Sequence, residues 1–268
     1  MSHFLPWPWP RVLAHRGGGT LAPENTLGAI RFGYERGFRA IEFDAMLAAD
    51  SVAVLMHDPT LERTTSGRGP VPAWRASDLA RLDAGAWHSA RFAGEPVPQL
   101  ADAIAWCRAH DVWLNVEIKP APGFESVTGA RVAEDCAHAY ADLLAPKAPG
   151  TAQEQALARL PLLSSFERDA LVAARAAAPG LPRGYLLDAV PENWMQELAA
   201  LGCLALHTNH RYLTRALARA IKDAGYWLFC YTVDEPARAR QLFDWGVDAL
   251  CTDRLDLIGA DFAGRGTA

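Results

Sequence analysis

Reactive side chains occur in closely spaced pairs at three places in the sequence, and each pair ends or follows a short apolar run. In two of the pairs the residues are two apart, and residues two apart in a strand project from the same face, so each of those pairs can act on one ligand. Histidines move protons near neutral pH, carboxylates hold cations, and Arg and Lys bind anions. The three pairs are His15 with Arg16, Glu42 with Asp44, and Glu117 with Lys119.

The carboxylates Glu42, Asp44 and Glu117 predict a metal site. Carboxylates that face one another inside a protein repel and are costly to desolvate unless a cation neutralises them. Oxygen-only ligands suit hard cations, so the expected cofactor is one divalent ion, Mg²⁺ or Ca²⁺. Each motif taken singly is more often structural, as a surface pair or a solvated strand face. Their occurrence together at the ends of separate strands favours the functional interpretation.

Eight short apolar runs of strand character recur along the chain, mostly separated by Ala- and Leu-rich segments of helical period. A βα unit repeated eight times is typical of a closed parallel barrel, so we predict a TIM (β/α)8 barrel of the α/β class. A doubly wound sheet is the alternative, but it gives no reason for the count to stop at eight. The runs occupy residues 11–14, 40–43, 112–118, 162–166, 184–187, 204–206, 227–232 and 248–251. The helix candidates occupy residues 25–36, 100–110, 127–144, 168–177, 194–201, 214–224 and 236–245.

A further strand-like run, residues 51–57, follows the second barrel strand too closely for a parallel crossover. We therefore predict an antiparallel hairpin that turns near Asp50 and returns His57 to the strand end that carries Glu42 and Asp44. The stretch that follows is rich in Gly and Pro, and it is too broken for one long helix. The prediction is one TIM-barrel domain, residues 1–268, in which residues 45–98 form a small insertion that caps the barrel mouth.

The sequence allows more than one interpretation of the start of the first helix and of the roles of His207 and His210. Asn25 or Thr26 is most simply the N-cap of that helix. His207 and His210 lie on either side of a possible strand end, where they could support the reactive groups. The spacing does not indicate which way their side chains point.

The composition excludes several classes of protein. There are 26 Lys and Arg against 31 Asp and Glu, a net charge of -5, so no broad basic surface for nucleic acid is expected. No apolar stretch approaches the roughly 20 residues that span a bilayer. The five cysteines form no CxxC pair and lie in apolar stretches, which is typical of reduced core residues. These features predict a soluble cytoplasmic protein, and they leave its oligomeric state open.

The sequence resembles the glycerophosphodiester phosphodiesterase family in motifs spread over almost the whole chain. These are AHRGGGTLAPENT at 14–26, IEFDAML at 41–47, HDPTLERTT at 57–65, VEIK at 116–119 and GVDALCTD at 246–253. Within that family it is most similar to the cytosolic bacterial members associated with glycerol 3-phosphate uptake. The resemblance implies a TIM barrel with an insertion after the second barrel strand, in agreement with the strand count.

The resemblance also implies roles for individual residues. Two histidines would serve as acid and base, three carboxylates would hold the metal, and two cations would meet the phosphate. In that order these residues are His15 and His57; Glu42, Asp44 and Glu117; Arg16 and Lys119. One departure is Asp234, where relatives commonly have Asn. A further negative charge near a phosphodiester is unfavourable, so either Asp234 faces away or the leaving-group preference differs.

The expected activity is metal-dependent hydrolysis of a small-molecule glycerophosphodiester to glycerol 3-phosphate and an alcohol, with acid–base catalysis by two histidines. A lysophospholipase D-like phosphodiesterase is the first alternative, and it would need an apolar approach for an acyl chain. A non-catalytic barrel that binds phosphodiesters is the second alternative. The presence of both histidines and all three carboxylates argues against it. The metal, the preferred alcohol and the division of labour between the histidines stay open at this point.

Overall fold

The computed structural model describes residues 6–145 and 150–262, and its centre is a closed barrel of eight parallel strands. The barrel closes because the first strand pairs with the second and also with the last. A ninth strand, β3, pairs antiparallel with the second. The predicted TIM barrel is confirmed, and each of the eight predicted runs overlaps one barrel strand. The strands are β1 (Val12–Ala14), β2 (Ala40–Leu47), β3 (Ala53–Leu55), β4 (Trp113–Ile118), β5 (Leu162–Ser165), β6 (Arg183–Leu187), β7 (Ala205–Asn209), β8 (Trp227–Tyr231) and β9 (Ala249–Thr252).

The helices lie around this barrel, and two predictions about them were wrong. The helix predicted at residues 127–144 is two helices, because the buried Tyr140 leaves helical backbone with φ -113° and ψ 23°. The helix predicted from residue 25 begins at Leu27, since Asn25 has a φ of 58°. The helices are α1 (Leu27–Glu35), α2 (Ala76–Leu79), α3 (Leu100–Ala109), α4 (Glu125–Ala139), α5 (Ala141–Leu144), α6 (Thr151–Leu157), α7 (Arg168–Ala177), α8 (Trp194–Leu201), α9 (Arg215–Asp223) and α10 (Pro236–Asp244).

An aromatic cluster fills the end of the barrel where the strands begin. Trp9 stacks on Trp113 of β4 with ring centroids 4.6 Å apart, and it meets Trp227 of β8 edge to face at 4.9 Å. Trp7 packs edge to face against the same rings. Aromatic rings bury a large apolar area in such geometries. The interior is therefore apolar at this end, and polar side chains gather at the other end, which we call the mouth.

The predicted hairpin is confirmed, and it brings the start of the insertion back to the mouth. Leu47 of β2 pairs with Ala53 of β3, and the turn between them includes Ser51 in the left-handed region, with φ 59°. After β3, the backbone N–H of Met56 donates to the carbonyl of Asp44 at 3.1 Å. The backbone of His57, the next residue, therefore lies beside the end of β2, the strand that carries Glu42 and Asp44.

The residues between β3 and α3 enclose a small apolar cluster of their own. This cluster includes Met46 on β2 and Ala121 after β4, so it is continuous with the wall of the barrel. Its other buried members are Ala48, Val54, Met56, Leu61, Val71, Ala76, Leu79, Ala84 and Val97. The insertion is anchored by apolar packing, which holds it close to the strand ends.

Two expectations from composition concern cysteines and membrane spans. All five cysteines are buried and free of disulfide bonds. Over the described ranges, no helix combines the length and the apolar character that crossing a membrane requires.

Candidate active site

As predicted, the three carboxylates lie together at the mouth of the barrel. Glu42 and Asp44 project from β2, and Glu117 projects from the neighbouring β4, where it pairs directly with Asp44. One oxygen from each carboxylate lies within 4.8 Å of the others, and all three side chains are buried. The alternation of a strand explains the arrangement, because residues two apart on β2 both point into the barrel.

Each carboxylate uses one oxygen for contacts with the protein. The backbone N–H of Arg16 donates to Oε2 of Glu42 at 3.1 Å. Asn25 Nδ2 donates to Oδ2 of Asp44 at 2.8 Å, and Lys119 Nζ donates to Oε1 of Glu117 at 2.8 Å. The second oxygen of each has no hydrogen-bond partner among the residues that the structure describes. Three oxygens are thus left for a cation, and an all-carboxylate donor set suits Mg²⁺ or Ca²⁺.

The pKa values of this cluster also indicate a cation site. Burial raises the pKa of Glu42 to about 8 and that of Glu117 to about 7, and the Asp44 carboxylate adds to both increases. Burial opposes ionisation of Asp44 as well, but Arg16 and His57 outweigh it and lower the pKa of that carboxyl. Without a cation, two of the three carboxyls resist ionisation near neutral pH. A divalent ion would supply the charge that lets all three ionise.

We therefore expect metal to stabilise the protein more at high pH than at low pH. A carboxyl with a raised folded-state pKa stabilises the fold below its ordinary value of 4.5, and this contribution is lost as pH rises through about 7 and 8. Bound metal replaces those protons. The increase in melting temperature on adding Mg²⁺ or Ca²⁺ should be larger at about pH 8.5 than at about pH 6. Equal increases at both values would contradict the assignment, and Glu42→Gln should reduce the difference.

The two predicted histidines are each held by a carboxylate through Nδ1. His15 lies 2.7 Å from Oδ1 of Asp253, and His57 lies 2.7 Å from Oδ1 of Asp58. Because an ionised carboxylate only accepts, each Nδ1 carries a proton and each Nε2 is left for a substrate. His15 Nε2 lies 3.8 Å from Glu42 Oε2.

The electrostatic surroundings of the two rings differ. Burial disfavours the charged form of His15, but its bond to Asp253 and the nearby Glu42 outweigh burial and raise its pKa. Burial is the largest influence on His57, and it lowers the pKa of that ring. Two histidines with pKa values pushed apart are suited to opposite proton-transfer roles.

The two predicted phosphate-binding cations flank the acidic cluster. Arg16 has a φ of 50°, and its side chain contacts Glu24 at 2.7 Å and Asp44 at 3.3 Å. Lys119 Nζ lies 5.1 Å from the centre of the Phe166 ring, within reach of its π face. Burial disfavours the charged form of both side chains, but the nearby carboxylates outweigh it and raise both pKa values, so both cations can offset negative charge on a phosphodiester.

One cavity of about 190 Å³ collects the reactive groups. Six of the seven predicted site residues line it, and Asp44 lies behind them against Arg16 and Asn25. Aromatic and aliphatic side chains also line the cavity. The reactive residues of the lining are His15, Arg16, Glu42, His57, Glu117 and Lys119, and its apolar residues include Phe166, Leu186, Phe229 and Tyr231.

Sequence reasoning missed Asn25 as a site residue. Thr26 is the N-cap, and its hydroxyl accepts from the N–H of Ala29. Asn25 instead clamps Asp44, since its side chain accepts from the Asp44 N–H at 3.1 Å as well as donating to the carboxylate. The sequence feature that could have indicated this role is the adjacent polar pair Asn25 and Thr26. Only one of the two can be the N-cap, so the other is left for a different contact.

Asp253 and Asp234 form a second unpredicted support. The Asp253 carboxylate holds His15, and its own backbone N–H donates to Oδ1 of Asp234 at 2.8 Å. The hydroxyl of Thr252 donates to the same oxygen at 3.2 Å. Asp234 therefore faces the β9 end rather than the cavity lining. The acidic replacement noted in the sequence adds no charge to the walls of the cavity.

His207 lies inside the barrel and lines the same cavity. Its ring is stacked on Phe229 with centroids 4.5 Å apart, and neither ring nitrogen has a hydrogen-bond partner in the described part of the chain. Burial lowers its pKa to about 3, so the ring is neutral. His210 lies apart from this wall, against Arg238. His207 is therefore part of the cavity wall, and a ring that stays neutral has no proton to donate from a charged form.

Comparison with known proteins gives consistent matches. The model of the glycerophosphoryl diester phosphodiesterase family matches residues 15–257. A glycerophosphodiester phosphodiesterase of Caldanaerobacter subterraneus subsp. tengcongensis is 30% identical over 247 residues, which cover 90% of this chain and 93% of that protein. A phosphodiesterase of Oleispira antarctica, solved in complex with the product sn-glycerol-3-phosphate, is 35% identical with a TM-score of 0.80 and coverage of 91% and 93%. The glycerophosphodiester phosphodiesterase of Agrobacterium tumefaciens str. C58 is 27% identical with a TM-score of 0.75, covering 96% of this chain and all of that one.

Proposed function

Because the chain belongs to the glycerophosphoryl diester phosphodiesterase family, we propose that it hydrolyses glycerophosphodiesters to glycerol 3-phosphate and an alcohol in a metal-dependent reaction. The observation that carries the proposal is one cavity lined by two histidines beside three buried carboxylates. A non-catalytic binding barrel would have no need for two carboxylate-held histidines. The sn-glycerol-3-phosphate bound to the Oleispira antarctica relative supports the same reaction.

Glu42, Asp44 and Glu117 would hold one Mg²⁺ or Ca²⁺ ion. Bound there, the ion would act as a Lewis acid on phosphoryl oxygen and offset the negative charge that develops in the transition state. Arg16 and Lys119 add to this effect from the sides of the cavity. An anionic diester repels nucleophiles, so positive groups placed before the reaction begins lower the barrier.

His15 and His57 would divide the proton transfers. One histidine takes a proton from the attacking oxygen, and the other gives a proton to the departing alkoxide. The contacts to Asp253 and Asp58 support this proposal, because each aspartate holds its ring through Nδ1 and leaves Nε2 to take up a proton as the base or to give one as the acid.

Lys119→Met is expected to reduce kcat/KM by about 10- to 100-fold, since one charge-assisted contact to a phosphate contributes roughly 1.5–3 kcal/mol. Methionine keeps most of the side-chain volume, so the fold should persist. Lys222→Met is the matched control, because it breaks another ammonium–carboxylate pair of similar exposure, 30% against 26%. Steady-state kinetics and melting curves of both variants check this. An unfolded Lys119→Met protein, or one with unchanged kcat/KM, would contradict the phosphate-contact role.

The assay that tests the proposed function compares soluble diesters with a lipid. Purified protein with added Mg²⁺ or Ca²⁺ is given glycerophosphocholine, glycerophosphoethanolamine, glycerophosphoglycerol and lysophosphatidylcholine. We expect the soluble diesters to be converted faster, with glycerol 3-phosphate as a product. Faster turnover of lysophosphatidylcholine would favour the lysophospholipase D-like alternative. Binding without turnover would favour the non-catalytic barrel.

We also propose that residues 1–268 act as one domain, with residues 45–98 as the insertion that covers the mouth. The continuous apolar packing between the insertion and β2 supports this view. Five free cysteines suit a reducing compartment, so we place the protein in the cytoplasm. Detection of the protein in a cytoplasmic fraction after cell lysis would test the location.

A further inference from the structure

One arginine of the insertion contacts two carboxylates that the proposed reaction does not use directly. Arg63 Nη1 and Nη2 donate to the two oxygens of Glu24 at 2.6 and 2.8 Å. Its Nε and Nη2 donate to the two oxygens of Asp58 at 2.5 and 3.1 Å. The guanidinium therefore makes a two-point contact with each carboxylate, a geometry that only Arg can form.

Each of these carboxylates in turn holds a predicted site residue. Asp58 Oδ1 lies 2.7 Å from His57 Nδ1, and Glu24 Oε1 accepts from Arg16 Nη1 at 2.7 Å. The chain of contacts thus runs from one proton-transfer group to one phosphate-binding group. Arg63 is the central link between them.

A solvated surface network is the simplest alternative explanation. The Arg63 side chain is 45% exposed, and exposed ion pairs contribute little to stability. Two observations argue for more. Glu24 is only 14% exposed and is shared by two arginines, and the pKa of Asp58 is lowered to about 2, chiefly by its bond to Arg63. Both carboxylates are thereby kept ionised as acceptors for the site residues.

We propose that Arg63 is a positioning residue that orients His57 through Asp58 and Arg16 through Glu24, so that docking of the insertion completes the active site. The inference rests on the proposed function for the roles of His57 and Arg16. Without Arg63, the Asp58 carboxylate is free to turn toward solvent and His57 loses its fixed orientation. Glu24 loses its two-point contact as well, so the carboxylate that binds Arg16 is no longer fixed by the insertion.

The test compares Arg63→Ala with Arg131→Ala. Arg131 is the matched control, because it makes a two-point contact with Asp135 at the same 45% exposure on the outer helix α4. We expect Arg63→Ala to lower kcat by about 10- to 100-fold, the usual effect of removing a residue that orients a functional ligand. KM should rise as well, since Arg16 meets the phosphate. Arg63→Lys should recover only part of the loss, because an ammonium cannot bind both carboxylates by two points.

A second measurement does not depend on turnover. In the metal-free protein, the proton that His57 Nδ1 shares with Asp58 should give a strongly downfield proton NMR signal. Arg63→Ala should broaden or shift that signal, and Arg131→Ala should leave it in place. Active Arg63→Ala protein with the kcat, KM and signal of the control would overturn the inference. If Arg63→Ala changes the signal but the wild-type protein hydrolyses no glycerophosphodiester, the positioning of His57 is supported and the proposed function is overturned instead.

Discussion

We expect turnover to fall by about 10³-fold or more in each of three variants, Glu42→Gln, Asp44→Asn and Glu117→Gln. A bound metal supplies several kcal/mol of transition-state stabilisation, and each 1.4 kcal/mol is a factor of ten in rate. The substitutions keep the size of each side chain and remove only its charge. The proposed metal site would then have two anionic ligands instead of three. Metal affinity should fall in parallel, as measured by calorimetric titration.

The control for these variants is Glu197→Gln. Glu197 is a paired glutamate on α8, and its Arg168 contact lies outside the cavity lining. It should retain both activity and metal binding. The assignment would be refuted by a Glu117→Gln protein that binds Mg²⁺ and Ca²⁺ as tightly as wild type and turns over at the same rate.

His15→Ala and His57→Ala are each expected to lower kcat by about 10² to 10⁴, the usual contribution of general acid or base catalysis. Both rings line the cavity beside Glu42, although 42 residues separate them in the sequence (57 minus 15). Because the proposed mechanism has both histidines act in one reaction, the double variant should lose less than the product of the single losses. Single-turnover kinetics would measure the three effects.

A substrate with a very good leaving group separates the two roles. Its alkoxide departs without a proton, so its hydrolysis should depend much less on whichever histidine is the acid. His138→Ala, an exposed histidine on α4, serves as the control and should behave as wild type. Equal sensitivity of both histidine variants to the leaving group would contradict the division into acid and base. Full additivity of the two losses would contradict their joint action.

The barrel and its reactive ends could be predicted from the sequence because each depends on local pattern. Apolar runs of three to seven residues mark the strands, and the polar residues that end them mark the mouth. His57 was placed correctly by a length argument, since the loop before residue 51 is too short for a crossover. The Asp50 side chain accepts from the N–H of Ala76 at 3.1 Å and so helps to hold the turn.

The supporting residues could not be predicted, because they depend on contacts far apart in sequence. Asp253 meets His15 across 238 residues, and no spacing rule indicates that pairing. Asn25 was interpreted as a possible cap because of its residue type. Its positive φ and its two hydrogen bonds to Asp44 become visible only in the structure. Asp58 is the exception, since it directly follows His57 in the sequence, and its contact with the ring depends on how the loop folds. Helix α6 was missed, and its Leu157 packs with the tryptophan cluster at the closed end.

The most direct test of the proposed metal-dependent phosphodiesterase activity is a phosphorus NMR time course with metal-stripped protein and glycerophosphocholine. Before metal is added, the diester signal should persist. After Mg²⁺ or Ca²⁺ is restored, the signal should be replaced by that of glycerol 3-phosphate, and Glu42→Gln protein should show no comparable change. Undiminished hydrolysis by protein whose metal content has been measured as nil would contradict the account, as would persistence of the diester with every divalent ion tested.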